Sequence, residues 1–323
     1  MTTVVITGAR GYIGRALARR LASEGHALRL VSRSSDAPHI EAGHNARIDY
    51  CEADLRDPRV WSQLLSDVDA VVHLSSRTDL RAAEADPQGD EDHNIAPVRA
   101  LVEAAATPVI VIFASTVTIA GANPRVPVDE TAPDQPCSVY DRHKLECETI
   151  LSEATKRGDL RACSLRLSNV YGYGGASINA NRGVLNAMLK RALAGESLRL
   201  FGDGAYIRDF THLDDVVDAF RLAIGEPRVY AGRHYVIATG RGATLAEAYK
   251  LIAEAAHEHT GRRSEIHRVA EPRELQPIEK RNFVGNSCLF RELTGWHPRF
   301  DLRAGIRDYF VRAMSHPAMA LER

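Results

Sequence analysis

Tyr140 and Lys144 stand four residues apart in the segment PCSVYDRHKLECE, residues 136–148. On a helix those two side chains share one face, a turn apart. A lysine ammonium one turn from a phenol favours the phenolate, whose ordinary pKa is ~10. Such a pair can carry a proton to or from an alcohol or ketone oxygen. By chance a tyrosine has a lysine at this spacing about once in twenty, so the pair must be judged by its surroundings.

A second chemical feature lies at the start of the chain. TGARGYIG, residues 7–14, puts Gly8, Gly11 and Gly14 between an apolar strand pattern (TVVIT, 3–7) and a helical one (12–25). Glycines there permit a tight turn and let backbone N–H groups approach a pyrophosphate at the helix N-terminus. The alternative is a glycine-rich turn with packing duties only. The second strand pattern ends LRLVSRSS, with Ser32 where an acid would hold the ribose 2′-hydroxyl of NAD. Arg33 follows, and Arg10 sits inside the loop. A hydroxyl and forked guanidiniums suit a 2′-phosphate, so the pattern favours NADP(H), with NAD(H) as the alternative.

These residues need elements to position them. Strand patterns at 3–7, 27–32, 46–53, 69–76, 108–116 and 160–170 alternate with helical patterns at 12–25, 93–106 and from the Tyr140 segment to about Arg157. That order, with strands apolar on both faces, predicts an α/β fold, a doubly wound parallel sheet of Rossmann type. After Val170 the texture changes to a Gly- and Asn-rich loop (171–183), then helices around 184–196, 214–226 and 244–259. The expected organisation is a dinucleotide-binding domain from 1–168 plus about 205–240, and a smaller substrate domain from about 169–204 and 241–323. The 323 residues carry 41 basic and 42 acidic side chains, net charge −1, which argues against a general nucleic-acid binder. Five scattered cysteines without a CxxC pair read as buried thiols in a reducing compartment, not a disulfide framework or metal site. No signal-peptide pattern and no membrane-length apolar run appear, so a cytoplasmic, membrane-free location is expected.

Seven motifs in order give the chain its resemblance to the extended short-chain dehydrogenase/reductase family of nucleotide-sugar epimerases, dehydratases and reductases. TGARGYIG resembles the family's cofactor loop, which brings in Tyr12 and Ile13. ADLRD (53–57) resembles the adenine-contacting segment, implying Asp54 and Leu55. VVHLSS (71–76) resembles the segment beside the diphosphate and ribose, implying Leu74, Ser75 and Ser76. FASTVTIAG (113–121) resembles the family's S-[ST]-x-x-V-Y-G stretch and implies Thr116 as a catalytic hydroxyl, where residue type alone allows a strand-end threonine. SVYDRHK then supplies the catalytic Tyr140 and Lys144, which also contact the cofactor. RLSNVYG (166–172) and FGDGAYIRDFTHLDDVVDA (201–219) resemble substrate-side segments, implying Asn169, Arg208 and, from the tail, Arg273 as contacts to a nucleoside-diphosphate sugar. Arg208 also has a plain alternative, a salt bridge to Asp209 or Asp214.

The departures shape the expected reaction. Ala120 stands where the family stretch has tyrosine, and Asn286 where it has an acid. Family 4,6-dehydratases carry Asp-Glu after the catalytic threonine; here Val117 and Thr118 follow Thr116, which argues against water elimination. STVTIAG, SVYDRHKL and NRGVLNAMLKRAL are similar to dTDP-4-keto-6-deoxyglucose reductases. The resemblance therefore implies an NADP(H)-dependent oxidoreductase moving hydride at C4 of a nucleoside-diphosphate sugar, a 4-keto-6-deoxysugar reductase. The alternatives are an NAD-dependent nucleotide-sugar 4-epimerase and a non-catalytic NADP-sensing regulator. Family analogy also implies a homodimer through helices near 93–106 and 140–157. The remaining residues of the Tyr140 helix, among them Asp141 and His143, lie off the Tyr–Lys line and read as ordinary.

Overall fold

The structure, a computed structural model, describes residues 2–34, 40, 46–106, 108–122, 125–175, 183–271 and 277–316. Twelve strands run in chain order: β1 (Thr3–Thr7), β2 (Ala27–Ser32), β3 (Ile48–Glu52), β4 (Ala70–His73), β5 (Ile110–Thr116), β6 (Arg161–Leu167), β7 (Asn169–Tyr171), β8 (Leu198–Phe201), β9 (Ile207–His212), β10 (His234–Ile237), β11 (Gly242–Thr244) and β12 (Ile266–Val269). Seven form one parallel sheet in the order β10-β6-β5-β4-β1-β2-β3. The chain winds outward in both directions from β1 and β4, so a crevice opens at the carboxyl ends of those strands.

Apolar residues cover both sheet faces, as the sequence pattern requires. Val4 and Ile6 pack on one face with Leu17 and Leu21 of the helix Tyr12–Ser23 and Val216 and Phe220 of the helix Leu213–Gly225. Val5 and Val71 face the other way, onto Val98 and Leu101 of the helix Ala96–Ala104 and Leu151 of the helix Val139–Arg157. A separate cluster joins Tyr171, Leu189, Phe210, Ile252 and Phe310 around two small sheets, β11-β9-β7 and β12-β8. The chain returns to the main sheet with β10, and the helix Cys288–Thr294 seats Phe290 under it.

Three expectations about elements are corrected. The helix expected over 93–106 is two helices, Pro87–Asn94 and Ala96–Ala104, because Pro97 begins a new first turn, where its missing N–H is harmless. The strand expected over 160–170 divides at Ser168 into β6 and β7, which belong to different sheets. The thiols are not uniformly buried: Cys147 and Cys163 are, Cys51 is half-buried, and Cys137 and Cys288 are exposed.

The helix Val139–Arg157 is fastened at three places. Ser138 caps its start by accepting from the Asp141 amide at 3.1 Å, and Gly158 ends it at φ 84°. Its middle is held by a buried ion network. Arg166 of β6 donates to both oxygens of Glu148 (2.9 and 2.6 Å) and to Asp134 (2.6 Å), while the Ser115 hydroxyl donates to Glu148. Removing one member leaves the other charge buried and unpaired. Arg166→Met should therefore lower unfolding free energy by about 3–5 kcal/mol in urea titration, with much of the loss recovered in Arg166→Met/Glu148→Leu.

Candidate active site

The glycine loop fits a pyrophosphate by exclusion of side chains. Gly8 has φ +65°, and a Cβ there would lie 3.0 Å from the backbone of Leu74 and Ser75. A Cβ on Gly14 would sit 2.3 Å from the Gly8 carbonyl oxygen, so the helix start and the loop touch backbone to backbone. Only glycine permits this cradle. The side chains of Tyr12 and Ile13 do not line it. The Tyr12 hydroxyl donates to Gly172 O at 2.8 Å, and burial pushes its pKa far up; Ile13 packs on the core. What these two offer a dinucleotide is backbone N–H.

Beside the loop, Thr7 accepts from the amides of Leu74 and Ser75, both at 3.1 Å, and meets His73 Nδ1 at 3.0 Å. With two donors already on Thr7, its own proton goes to the imidazole. His73 stacks on Phe113 with the Trp61 ring tilted against it, and burial takes its pKa down to about 3, so it is a neutral packing element. Ser76 directs its hydroxyl to Asn94 Oδ1 at 2.8 Å.

A cleft of about 420 Å³ opens at the carboxyl ends of β2 to β4, lined by Arg33, Asp54, Leu55, Ser75 and Ser76 among others. Its size and mixed lining suit an adenosine. Arg10 donates to the Ser34 hydroxyl and Ser32 to Ser34 O at 2.6 Å, which gathers the residues expected at the ribose. Arg33 is exposed at the rim. Asp54 pairs with Arg56 at 2.5 Å, which holds its carboxyl down to about 2.

Lys144 brings the helix that carries Tyr140 onto β5, the strand that ends at Thr116. Lys144 is 3% exposed, donates to Ala114 O at 2.9 Å, and lies 4.5 Å from the Phe113 ring centre and 5.8 Å from that of Tyr140. Thr116 ends β5, half-buried, with its Oγ1 2.8 Å from Thr118 Oγ1. Thr118 in turn donates to Asp141. Asp141 is therefore not ordinary: it is fully buried one residue beyond Tyr140. His143 is not ordinary either, since its Nδ1 meets the buried Asp90 at 2.8 Å. The Tyr–Lys line concealed both, because their partners come from other elements.

The substrate-side arginines converge. Arg208 donates to the carbonyls of Ile207 (3.0 Å), Glu279 (2.6 Å) and Arg281. The expected alternative partners are taken elsewhere: Asp214 pairs with Arg312, and Asp209 accepts from Thr239, Gly240 and Gly285. Arg281, which no sequence signal marked, donates to Ile278 O (2.9 Å) and to Asn169 Oδ1 (3.1 Å). These acceptors are all neutral. Burial and mutual repulsion bring Arg208 down to about 9, and burial brings Arg281 to about 10 against the pull of Asp141 and Glu279. Two close cations on neutral acceptors make a seat for an anion. Arg273 lies outside the described residues. Ala120 fills an apolar cluster with Val117 and Phe283, and Asn286 accepts from the Cys288 amide at 3.1 Å at a helix start. Among the described residues, no group of three or more His, Cys, Asp or Glu side chains could hold a metal ion, and no helix is long and apolar enough to cross a membrane.

The model of the NAD dependent epimerase/dehydratase family matches residues 4–238. The chain belongs to that family. It is 28% identical to UDP-glucose 4-epimerase of Mycolicibacterium smegmatis over 309 residues, covering 94% of this chain and 95% of the relative. UDP-glucose 4-epimerase of Thermotoga maritima, solved with UDP-glucose, superposes with a TM-score of 0.84 at 27% identity, over 98% of this chain and 100% of that one. The Stenotrophomonas maltophila UDP-glucose 4-epimerase, solved with NAD and formylated UDP-arabinopyranose, gives a TM-score of 0.81 at 25% identity and 98% and 100% coverage. Membership of this family accords with the seven-stranded parallel sheet and the glycine turn after its first strand.

The buried ammonium makes a pH prediction. Burial lowers Lys144 from 10.5 to about 8, with Cys147, Asp90 and Glu148 pulling the other way. Below about 8 both folded and unfolded chains carry this proton, and the folded one bears the whole desolvation cost. Between about 8 and 10.5 the folded chain releases it first, so stability rises with pH. Relative to Lys144→Met, the cofactor-free wild type should gain stability across that window, by on the order of 3 kcal/mol, in denaturant titrations at stepped pH.

Proposed function

We propose that this protein is a nucleotide-sugar 4-epimerase of the UDP-hexose class that works with a nicotinamide dinucleotide. The observation that carries the reading is the buried Lys144 ammonium, tied to Ala114 O of β5 two residues before Thr116 and 5.8 Å from the centre of the Tyr140 ring. Likeness to UDP-glucose 4-epimerases along nearly the whole chain supports the choice of reaction. The dinucleotide supplies the hydride acceptor and donor, chemistry that side chains lack.

The chain's own residues do the rest. The loop amides and the helix start at Tyr12 bind the dinucleotide pyrophosphate. Tyr140 takes the proton from the sugar C4 hydroxyl and returns it to the keto oxygen. Lys144, fixed on Ala114 O, stabilises the phenolate across one helical turn. Thr116 holds the same sugar oxygen. Arg208 and Arg281 bind the sugar-nucleotide diphosphate, and Asn169 orients Arg281. The helices Ala96–Ala104 and Val139–Arg157, bridged by Arg99–Glu146 at 2.6 Å, provide the face for a homodimer.

A second reading, an NADPH-dependent 4-keto-6-deoxysugar reductase, is favoured by Ser32, Arg33 and Arg10 at the adenosine end. Two measurements separate the readings. Purified protein is denatured and its released nicotinamide identified. It is also incubated with UDP-galactose and, separately, with NADPH plus dTDP-4-keto-6-deoxyglucose. Retained NAD and interconversion of UDP-galactose with UDP-glucose are expected. Stoichiometric NADPH oxidation with the keto sugar, and no interconversion, would replace the first reading by the second. Tyr140→Phe should lower kcat by about 10²–10⁴ with little change in nucleotide-sugar affinity. Arg281→Gln should instead raise KM for the nucleotide sugar by roughly 10- to 100-fold, the loss of a charged phosphate contact. Unchanged activity in Tyr140→Phe, with dinucleotide affinity intact, would favour a non-catalytic sensor.

A further inference from the structure

Position 118, where family dehydratases carry an acid, holds a threonine, yet a carboxylate reaches it through space. Asp141 is 0% exposed and lies in the first turn of the Tyr140 helix. It accepts a hydrogen bond from the Thr118 hydroxyl. Thr118 also donates its backbone N–H to Thr116 Oγ1 at 3.2 Å, and the two hydroxyl oxygens are 2.8 Å apart.

Counting protons settles the direction of this chain. A hydroxyl has one proton to give. Thr118 gives its proton to Asp141, so the contact between the two hydroxyls must be made by the proton of Thr116. Thr116 Oγ1 then keeps a lone pair, and no proton, for anything that approaches along the crevice. The second Asp141 oxygen is buried and bonds nothing among the described residues, so Thr118 is the hydrogen-bond contact through which Asp141 reaches Thr116, while its charge also pulls on Arg281.

We propose that Thr118 and Asp141 are positioning residues that fix the Thr116 hydroxyl as a hydrogen-bond acceptor toward the sugar oxygen. The assignment rests on the reading of Thr116, Tyr140 and Lys144 as the proton-handling site of a nucleotide-sugar enzyme. Under it, Thr116 receives the hydrogen bond of the C4 alcohol, and the alcohol's proton is directed by a fixed lone pair rather than by a free rotor. When the carbon is a ketone, its oxygen takes its proton from Tyr140 alone. Breaking the chain at Thr118 frees the Thr116 hydroxyl to rotate and to compete as a donor to the phenolate.

The test combines one measurement that needs no turnover with one that does. Neutron diffraction on deuterium-exchanged crystals locates the two hydroxyl deuterons. They are expected on the Thr116-to-Thr118 line and on the Thr118-to-Asp141 line; a Thr116 deuteron pointing into the crevice overturns the proposal. In steady-state kinetics with UDP-galactose, Thr118→Val is expected to lower kcat roughly tenfold with KM unchanged, and Thr118→Ser to restore wild-type kcat. A melting scan of each variant accompanies the rates. Thr118→Val at wild-type kcat, or Thr118→Ser as impaired as Thr118→Val, overturns the proposal. If the wild type turns over no nucleotide sugar, the functional reading fails instead, and the deuteron positions alone decide the orientation of Thr116.

Discussion

The bond from the Lys144 ammonium to the Ala114 carbonyl ties a helix to the strand beside it at the point where that strand ends. Everything in the crevice depends on this tie. Thr116 lies two residues beyond Ala114 on β5, and Tyr140 one turn before Lys144, so a single buried contact sets the spacing of the groups that would share a sugar oxygen. A free ammonium would prefer water, and burial of Lys144 opposes folding. The surrounding structure resists that penalty with apolar packing on both faces of the sheet and with the Glu148–Arg166–Asp134 network behind the same helix. The site is thus held by interactions that are individually expensive to desolvate and effective only together.

The crevice divides its work by charge. The end with the glycine loop presents backbone: close glycines, a helix start and the amides beside β4. Its other end relies on two guanidiniums placed near each other on neutral acceptors, an arrangement that favours an anion before one arrives. Between them the polar groups are neutral hydroxyls and a phenol with one ammonium behind. A diphosphate at each end and an uncharged reacting carbon in the middle match that distribution. The buried acids nearest the centre, Asp141, Asp90 and Glu148, each bond a neighbouring side chain, so their charge orients the site from behind.

Much of this was legible from residue order. The alternation of apolar strands with helices foretold the parallel sheet, since period and length carry that information locally. The glycine spacing foretold the cradle, because only the absence of a Cβ allows Gly14 to meet the Gly8 carbonyl. Less was legible where a side chain's partner comes from a distant element. Arg281 lies in a segment without regular structure, and its nearness to Asn169 and Arg208 depends on how the small sheet docks. The Tyr12 hydroxyl likewise finds its partner at Gly172, 160 residues away.

The sequence by itself determined most of the elements, the glycine turn and the shared helix face of Tyr140 and Lys144, because each is written in spacings shorter than one helix or one strand-loop-helix unit. Tertiary structure alone decided which polar groups have partners. It turned Asp141 from a residue off the Tyr–Lys line into the end of a hydroxyl chain, and paired His143 with Asp90. It also set two arginines from different segments side by side. The physical reason is that a hydrogen bond's direction and a charge's pKa are fixed by neighbours in space and by exclusion of water, and neither can be read along the chain.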